Sequence, residues 1–245
     1  MRYQFVDCRW ELGKPERGRE LYLESHIPGA SFLDVENELS VAQPPGTVGG
    51  RHPLPSTDDF SAAASRAGIG TGVFVVAYDQ GMTGGAARLW WLLRHFGHED
   101  VAVLDGGMAA WLGPLRDGEE TVEPASFEPR ERSDDTIEAD ELARRLGEDG
   151  LVIVDARAPE RFRGDQEPID PVAGHIPGAW NHPFTDALPV PDPILAGDEV
   201  VVYCGSGVTA CVDLLALERA GRSDAKLYPG SWSDWAARGL PVERE

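Results

Sequence analysis

Four landmarks occur twice along this chain, in the same order. The first half carries VDCRW (6–10), SHIPGASFLD (25–34), VVAYDQGMTGG (75–85) and VAVLDGGMAAW (101–111). The second half answers with VDARAPERF (154–162), GHIPGAWNHPF (174–184), VVYCGSGVTAC (201–211) and AKLYPGSWSDW (225–235). The spacing is 148 residues from Asp7 to Asp155, 149 from His26 to His175 and 125 from Asp79 to Cys204. The fall from 149 to 125 locates an insertion in the first half, around ENELSVAQPPGTVGGRHPLPS. Matched order over the whole chain requires that one supersecondary unit folds twice.

The content of each copy sets the fold class. Short apolar runs that do not alternate (VFVVAY, VAVLD; LVIVDA, EVVVYC) are separated by segments of helical period (DFSAAASRAG, AARLWWLLRHFG; ADELARRLGED, TACVDLLALERAG). Continuous apolar strands between helices argue a parallel sheet covered on both faces. Gly97 and Gly221 close two of the helices, the residue type suited to a left-handed C-terminal cap. At 245 residues the chain has room for two domains of roughly 110 residues. We expect two α/β domains, over 1–113 and 136–245. The Pro-, Glu- and Asp-rich stretch at 114–135 is expected to be a solvated linker.

Composition then removes several function classes. The formal net charge of −20 repels nucleic acid and anionic membrane. No apolar run approaches the roughly 18 residues of a membrane span. The N-terminus shows neither a basic segment followed by an apolar one nor a small-residue cleavage site, so a cytoplasmic protein is expected. Three cysteines, Cys8, Cys204 and Cys211, lack metal-ligand spacing, so neither a disulfide framework nor a metal site is expected.

One loop carries reactive chemistry. The strand 200–203 ends at Cys204, and a helix begins near Thr209. Ligands in open α/β sheets gather at the carboxyl ends of strands, which is where Cys204 falls. Gly205 and Gly207 permit backbone conformations that curl successive N–H groups toward one point. The positive end of the following helix faces the same point, and both features favour a thiolate. Cys8 and Cys211 read as small buried hydrophobes. A Cys-based phosphatase or arsenate reductase is disfavoured, since the position where a phosphatase cradle needs its arginine is Ala210. In the first copy the equivalent of Cys204 is Asp79, whose carboxylate can occupy the cradle from within.

With CGSGVTAC, GHIPGA and its twin SHIPGA, DARAPERFRG, LDGG and LYPGSW in place, the sequence resembles the rhodanese superfamily, specifically its two-domain sulfurtransferases, from Val6 to about Val242. The resemblance implies two parallel domains of about five strands each. It implies an inactive first domain marked by Asp79, and a catalytic second domain. The implied chemistry is double displacement. Cys204 takes sulfane sulfur from 3-mercaptopyruvate or thiosulfate as a persulfide, cradled by the loop Gly205, Ser206, Gly207, Val208 and Thr209. The sulfur then passes to cyanide, a thiol or a thioredoxin-like protein, without a cofactor, in a monomer. A non-catalytic persulfide carrier is the alternative.

Further roles follow from the same resemblance. Arg161 matches an arginine that contacts the donor carboxylate, while a second donor-binding arginine common in mercaptopyruvate-type enzymes has no counterpart in GDQEPIDPVAGH. His52 and Glu36 match a relay that joins Ser206, with Glu36 standing where the relay has Asp. His26 and His175, and Asp7 and Asp155, recur in both copies and are expected to be structural.

Overall fold

The apolar runs form strands and the periodic segments pack as helices, once in each half, in a computed structural model that describes residues 2–244. In the first half β1 (Arg2–Asp7), α1 (Arg17–Glu24), β2 (Ser31–Phe32) and α2 (Thr57–Arg66) precede β3 (Val73–Tyr78). There follow α3 (Gly85–His95), β4 (Val101–Val103) and α4 (Gly107–Ala110). The second half runs α5 (Ala139–Arg144), β5 (Leu151–Asp155), α6 (Pro159–Arg163), β6 (Trp180–Asn181) and α7 (Asp192–Leu195). It ends with β7 (Glu199–Tyr203), α8 (Ala210–Arg219), β8 (Lys226–Leu227) and α9 (Ser231–Ala237).

Each half builds one parallel sheet, ordered β2-β1-β3-β4 and β6-β5-β7-β8. Register follows the repeat: Asp7 pairs with Tyr78 and Asp155 with Tyr203. The expectation of about five strands is corrected to four per sheet. In the second half the outermost candidate, at Thr136, makes a single parallel bridge to Leu227. Asp135 O and Ile137 N bond Leu227, and the chain then turns at once into α5, so no ladder forms.

The chain divides into two compact units, one of Met1–Val41 and Leu54–Arg132 and a second of Ala42–Pro53 and Ser133–Glu245. The insertion seen in the sequence therefore contributes its later part to the second unit. Residues 114–132, expected as linker, group with the first unit. There Phe127 is buried edge-on against Phe60, and Arg130 N and Arg132 N bond the carbonyls of Phe96 and His95.

The residues that recur in both copies are the pins of the fold. Asp7 accepts from Arg9 N and its guanidinium at 2.6–3.0 Å, and Asp155 accepts from Arg157 in the same way at 2.6–3.1 Å. His26 stacks on Tyr22 and bonds its carbonyl; His175 does the same with Phe162. Tyr78 and Tyr203, ending β3 and β7, each accept the amide that follows the histidine. These groups are buried ends of strands and turns, so the pairing satisfies polar atoms that water cannot reach. Cys8 and Cys211 are fully buried. Burial, reinforced by the charges of Asp7, Asp79 and Glu38, pushes the Cys8 thiol well above its usual range. No helix of the described residues is long and apolar enough to cross a membrane.

Candidate active site

Cys204 follows β7 at the carboxyl edge of the second sheet, and α8 starts after Thr209. The loop between them bends because Gly207 takes a left-handed φ of 82°. A Cβ there would also meet Pro229 O at 2.5 Å, so only glycine fits. The bend turns two amides onto the sulfur: Gly207 N lies 3.1 Å and Ser206 N 3.5 Å from Cys204 Sγ. These are the donors to Sγ among the described residues.

The outer wall of the loop is tied to α9. Trp232 N donates to Cys204 O and Ser233 N to Gly205 O, each at 3.0 Å. Cys204 N donates to Ser231 Oγ, which itself donates to Tyr228 O. Ser231 holds φ at 54°, an uncommon region for a residue with a side chain, and is fully buried. Strain of this kind persists where the surroundings over-determine it. With its carbonyls held outward, the loop keeps its N–H groups facing in. Cys204 itself is 1 % exposed.

Three further groups converge on this loop from elsewhere in the second unit. His52 Nδ1 lies 2.7 Å from Ser206 Oγ, and both residues are buried. Arg161, at the end of α6, holds Glu167 through Nε and Nη2 at 3.2 and 2.7 Å, with Nη2 also 3.4 Å from Asp170. Arg51, beside His52, has its Nε 3.4 Å from Asp170 Oδ1. Gly205 leaves room for both arginines: a Cβ on it would stand 2.8 Å from Arg51 Nη2 and 3.3 Å from Arg161 Nη1.

The segment that brings Arg51 and His52 is anchored by α9 as well. Gly49 N donates to Asp234 Oδ1 at 2.6 Å, and Asp234 also accepts Tyr228 OH and Arg238 Nε. Gly50 (φ 86°) passes so close to Gly230 O that a Cβ would sit 2.4 Å from it. Gln43 N closes the loop onto Arg51 O. Helix α9 thus supports both the cysteine loop and the segment facing it.

Of the residues singled out in the sequence, Cys204, Gly205, Ser206, Gly207, Arg161 and His52 are brought together in the second unit. Val208 is buried and Thr209 is the residue that immediately precedes α8. Glu36 lies in the first unit, where its amide bonds Asp34 Oδ1. Arg51, Asp170 and Asp234 were missed. Arg51 adjoins a histidine already singled out, and Asp170 lies in the stretch noted for lacking an arginine, which was the available signal.

The first unit repeats the cradle with a different occupant. Asp79 Oδ1 accepts Gly81 N at 2.9 Å, and Oδ2 accepts Thr83 N, Gly84 N and Ala86 N at 3.1–3.3 Å. The carboxylate fills from within the space that a ligand anion would take.

Comparison with known proteins agrees with this architecture. The rhodanese-like domain family matches residues 1–113 and 138–238. A Pseudomonas aeruginosa protein named "Probable 3-mercaptopyruvate sulfurtransferase" is 45% identical over 250 residues, covering 94% of this chain and 88% of that one. A Mycobacterium tuberculosis protein named for thiosulfate sulfurtransferase activity is 42% identical over 253 residues, covering 95% and 87%. The crystal structure of the Escherichia coli 3-mercaptopyruvate sulfurtransferase superposes with a TM-score of 0.79 at 31% identity, over 94% of this chain and 92% of that one. The chain belongs to the rhodanese superfamily, as a sulfurtransferase built from two rhodanese-like domains.

Proposed function

We propose that this enzyme moves sulfur from a small anionic donor, 3-mercaptopyruvate first, to a thiophilic acceptor through a persulfide on Cys204. The observation that carries the reading is a lone sulfur under two backbone N–H donors, with a histidine–serine pair at its side. The Cys204 thiolate attacks the donor sulfur and forms the S–S bond while the C–S bond breaks. The electron pair goes to the leaving carbon, which takes up the proton of the donor thiol to give pyruvate. The enzyme is left with Cys204–S–S⁻. Cyanide, a thiol or a thioredoxin-like protein then attacks the outer sulfur and returns the thiolate.

The loop amides act as preorganised donors to the anionic sulfur, the logic of an oxyanion hole. Ser206, 2.7 Å from His52, is suited to relay the proton that the enolate needs. Thiosulfate stands as the second donor, supported by the name of the M. tuberculosis relative. Its sulfite leaving group needs no proton, so His52 separates the two donors. A cytoplasmic, monomeric protein free of cofactors accords with this chemistry.

The test compares kcat/KM for both donors with cyanide and a thiol as acceptors, alongside the mass of the donor-treated protein. Wild type should gain one sulfur atom on Cys204, and Cys204→Ser should gain none. His52→Asn should lower kcat with mercaptopyruvate at least tenfold more than with thiosulfate. Turnover by Cys204→Ser, or no sulfur gain on wild type with either donor, refutes the reading.

A further inference from the structure

The cysteine loop is flanked by two guanidiniums, and one of them, Arg51, is held differently from the buried arginines Arg9 and Arg157. Arg9 and Arg157 each grip an aspartate with paired bonds of 2.6–3.1 Å, the geometry of a structural pin. Arg51 makes no such bond. Its Nε and the facing Asp170 Oδ1 approach to 3.4 Å, yet both atoms are buried without a hydrogen bond. Among the described residues, no acceptor is found for Nη1 or Nη2 of Arg51, or for Nη1 of Arg161. Arg51 is 5% exposed, and Nε is the atom of its guanidinium that is fully buried without a partner. An N–H donor that has no acceptor within the protein is open to one that a ligand brings.

What completes them is set by where they point. Arg51 Nη2 and Arg161 Nη1 both lie within 3.3 Å of one point, the missing Cβ of Gly205, next to Cys204. Any larger residue at 205 would fill that space. Asp170 lies between the two arginines, with Oδ1 3.4 Å from Arg51 and Oδ2 3.4 Å from Arg161. It offsets the repulsion of two like charges packed together. Arg51, Arg157 and Arg161 are balanced by Asp155, Glu167 and Asp170, so net charge is not what draws a ligand here. The uncommitted N–H donors are.

Segment tethering does not account for Arg51 either. That stretch is already fixed by Gly49 N on Asp234, by Gly50 against Gly230, and by Gln43 N on the Arg51 carbonyl. The side chain is left with its forked end aimed at the loop.

We infer that Arg51 is a second donor-binding residue: with Arg161 it forms a two-arginine clamp for the oxyanion end of the sulfur donor, with Asp170 positioning both. The inference rests on the reading of Cys204 as the sulfur-carrying group. The clamp supplies from the inserted segment a cation that the 164–175 stretch lacks. It takes a small oxyanion, the carboxylate of a mercapto acid or the sulfonate end of thiosulfate.

The test is equilibrium binding of unreactive anions to the full chain carrying Cys204→Ser. Pyruvate represents the carboxylate and sulfate the tetrahedral dianion, each titrated calorimetrically at fixed ionic strength. Arg51→Gln should weaken binding about tenfold to hundredfold, the worth of a charge-assisted bond pair, and Arg51→Lys by less. Thermal melts of both variants establish that the fold is kept. Loss confined to pyruvate assigns the clamp to a carboxylate donor, and loss confined to sulfate assigns it to thiosulfate. Equal affinity in parent and folded Arg51→Gln, or no binding of either anion to the parent, overturns the inference. Arg51-dependent binding in a protein that never loads sulfur would leave the clamp standing and remove the sulfur-transfer reading.

Discussion

Replacing Asp79 tests whether the first unit's loop is held together by its own carboxylate. Four amides, of Gly81, Thr83, Gly84 and Ala86, converge on the two oxygens at 2.9–3.3 Å, and Asp79 is 3% exposed. Two of these donors belong to the start of α3, so the negative charge also meets the positive end of that helix. At about 1 kcal/mol net per bond, Asp79→Ala forfeits about 4 kcal/mol. Water entering the vacated space recovers part of this, leaving a loss of about 3 kcal/mol. Asp79→Asn keeps one oxygen for the α3 amides but turns an NH2 toward Gly81 N, costing about 1–2 kcal/mol. Hydrogen exchange read by mass spectrometry resolves the effect by element. Peptides of α3 in Asp79→Ala should exchange roughly a hundredfold faster than in wild type, the equivalent of about 3 kcal/mol. Peptides of α8 serve as the internal reference. Exchange of α3 within threefold of wild type would sink the idea that the cradle is filled from within.

A buried pair in the second unit sets a pH dependence. His182 and Asp213 lie 3.5 Å apart, and Asp213 raises the histidine above its ordinary value, opposed by burial. Burial pushes Asp213 up to about 6 despite the histidine. Both shifts mean that the folded state binds more protons than the unfolded one. Stability from Asp213 is lost as pH rises from about 4 to about 6. Stability from His182, present below its unfolded value of about 6.5, is lost as pH climbs through its higher folded value. The urea midpoint should therefore fall between pH 4 and 8, and Asp213→Asn should flatten that fall; an unchanged slope would exonerate the pair. Gly207→Ala places a side chain at a left-handed φ of 82° and a Cβ 2.5 Å from Pro229 O. It should cost about 1–3 kcal/mol and slow sulfur loading of Cys204 at least tenfold, measured by rapid quench and mass spectrometry. A loading rate unchanged by this substitution would dissociate the loop bend from the chemistry.

What the sequence made legible is what the repeat makes local. The parallel sheets follow from unalternated apolar runs, and the pins at Asp7, Asp155, His26 and His175 follow from their recurrence. The Cys204 loop follows from two glycines between a strand and a helix. Asp79 in the matching loop was readable as a self-filled cradle because a carboxylate suits converging amides. The fifth strand came with the family resemblance and not from the residues; at Thr136 pairing stops at a single bridge because the chain turns at once into α5. Arg51 escaped because nothing periodic surrounds it. Its place depends on Gly49 and Gly50 reaching Asp234 and Gly230, partners 180 or more residues away in sequence. Asp170 passed unremarked in a stretch noted for lacking an arginine, whereas its position between Arg51 and Arg161 gives the acid its meaning.

The two loops differ in how fully their donors are used. Asp79 engages four amides with two oxygens, while Cys204 offers one sulfur to two amides at 3.1 and 3.5 Å. The armed loop therefore keeps binding capacity in reserve, and holds it against the strain at Ser231. A reserve of this kind is stability withheld for function, and supplying the first unit's occupant should release it. Cys204→Asp puts two oxygens beneath the Ser206 and Gly207 amides, at the start of α8. The variant should raise the melting temperature of the protein by a few degrees, the equivalent of about 1 kcal/mol, while ending sulfur transfer. Cys204→Ser, which removes the sulfur without adding an anion, should not stabilise. If Cys204→Asp melts below Cys204→Ser, the loop's amides are not poised for an anion, and the account of Cys204 as an anionic sulfur carrier in a preorganised cradle loses its physical basis.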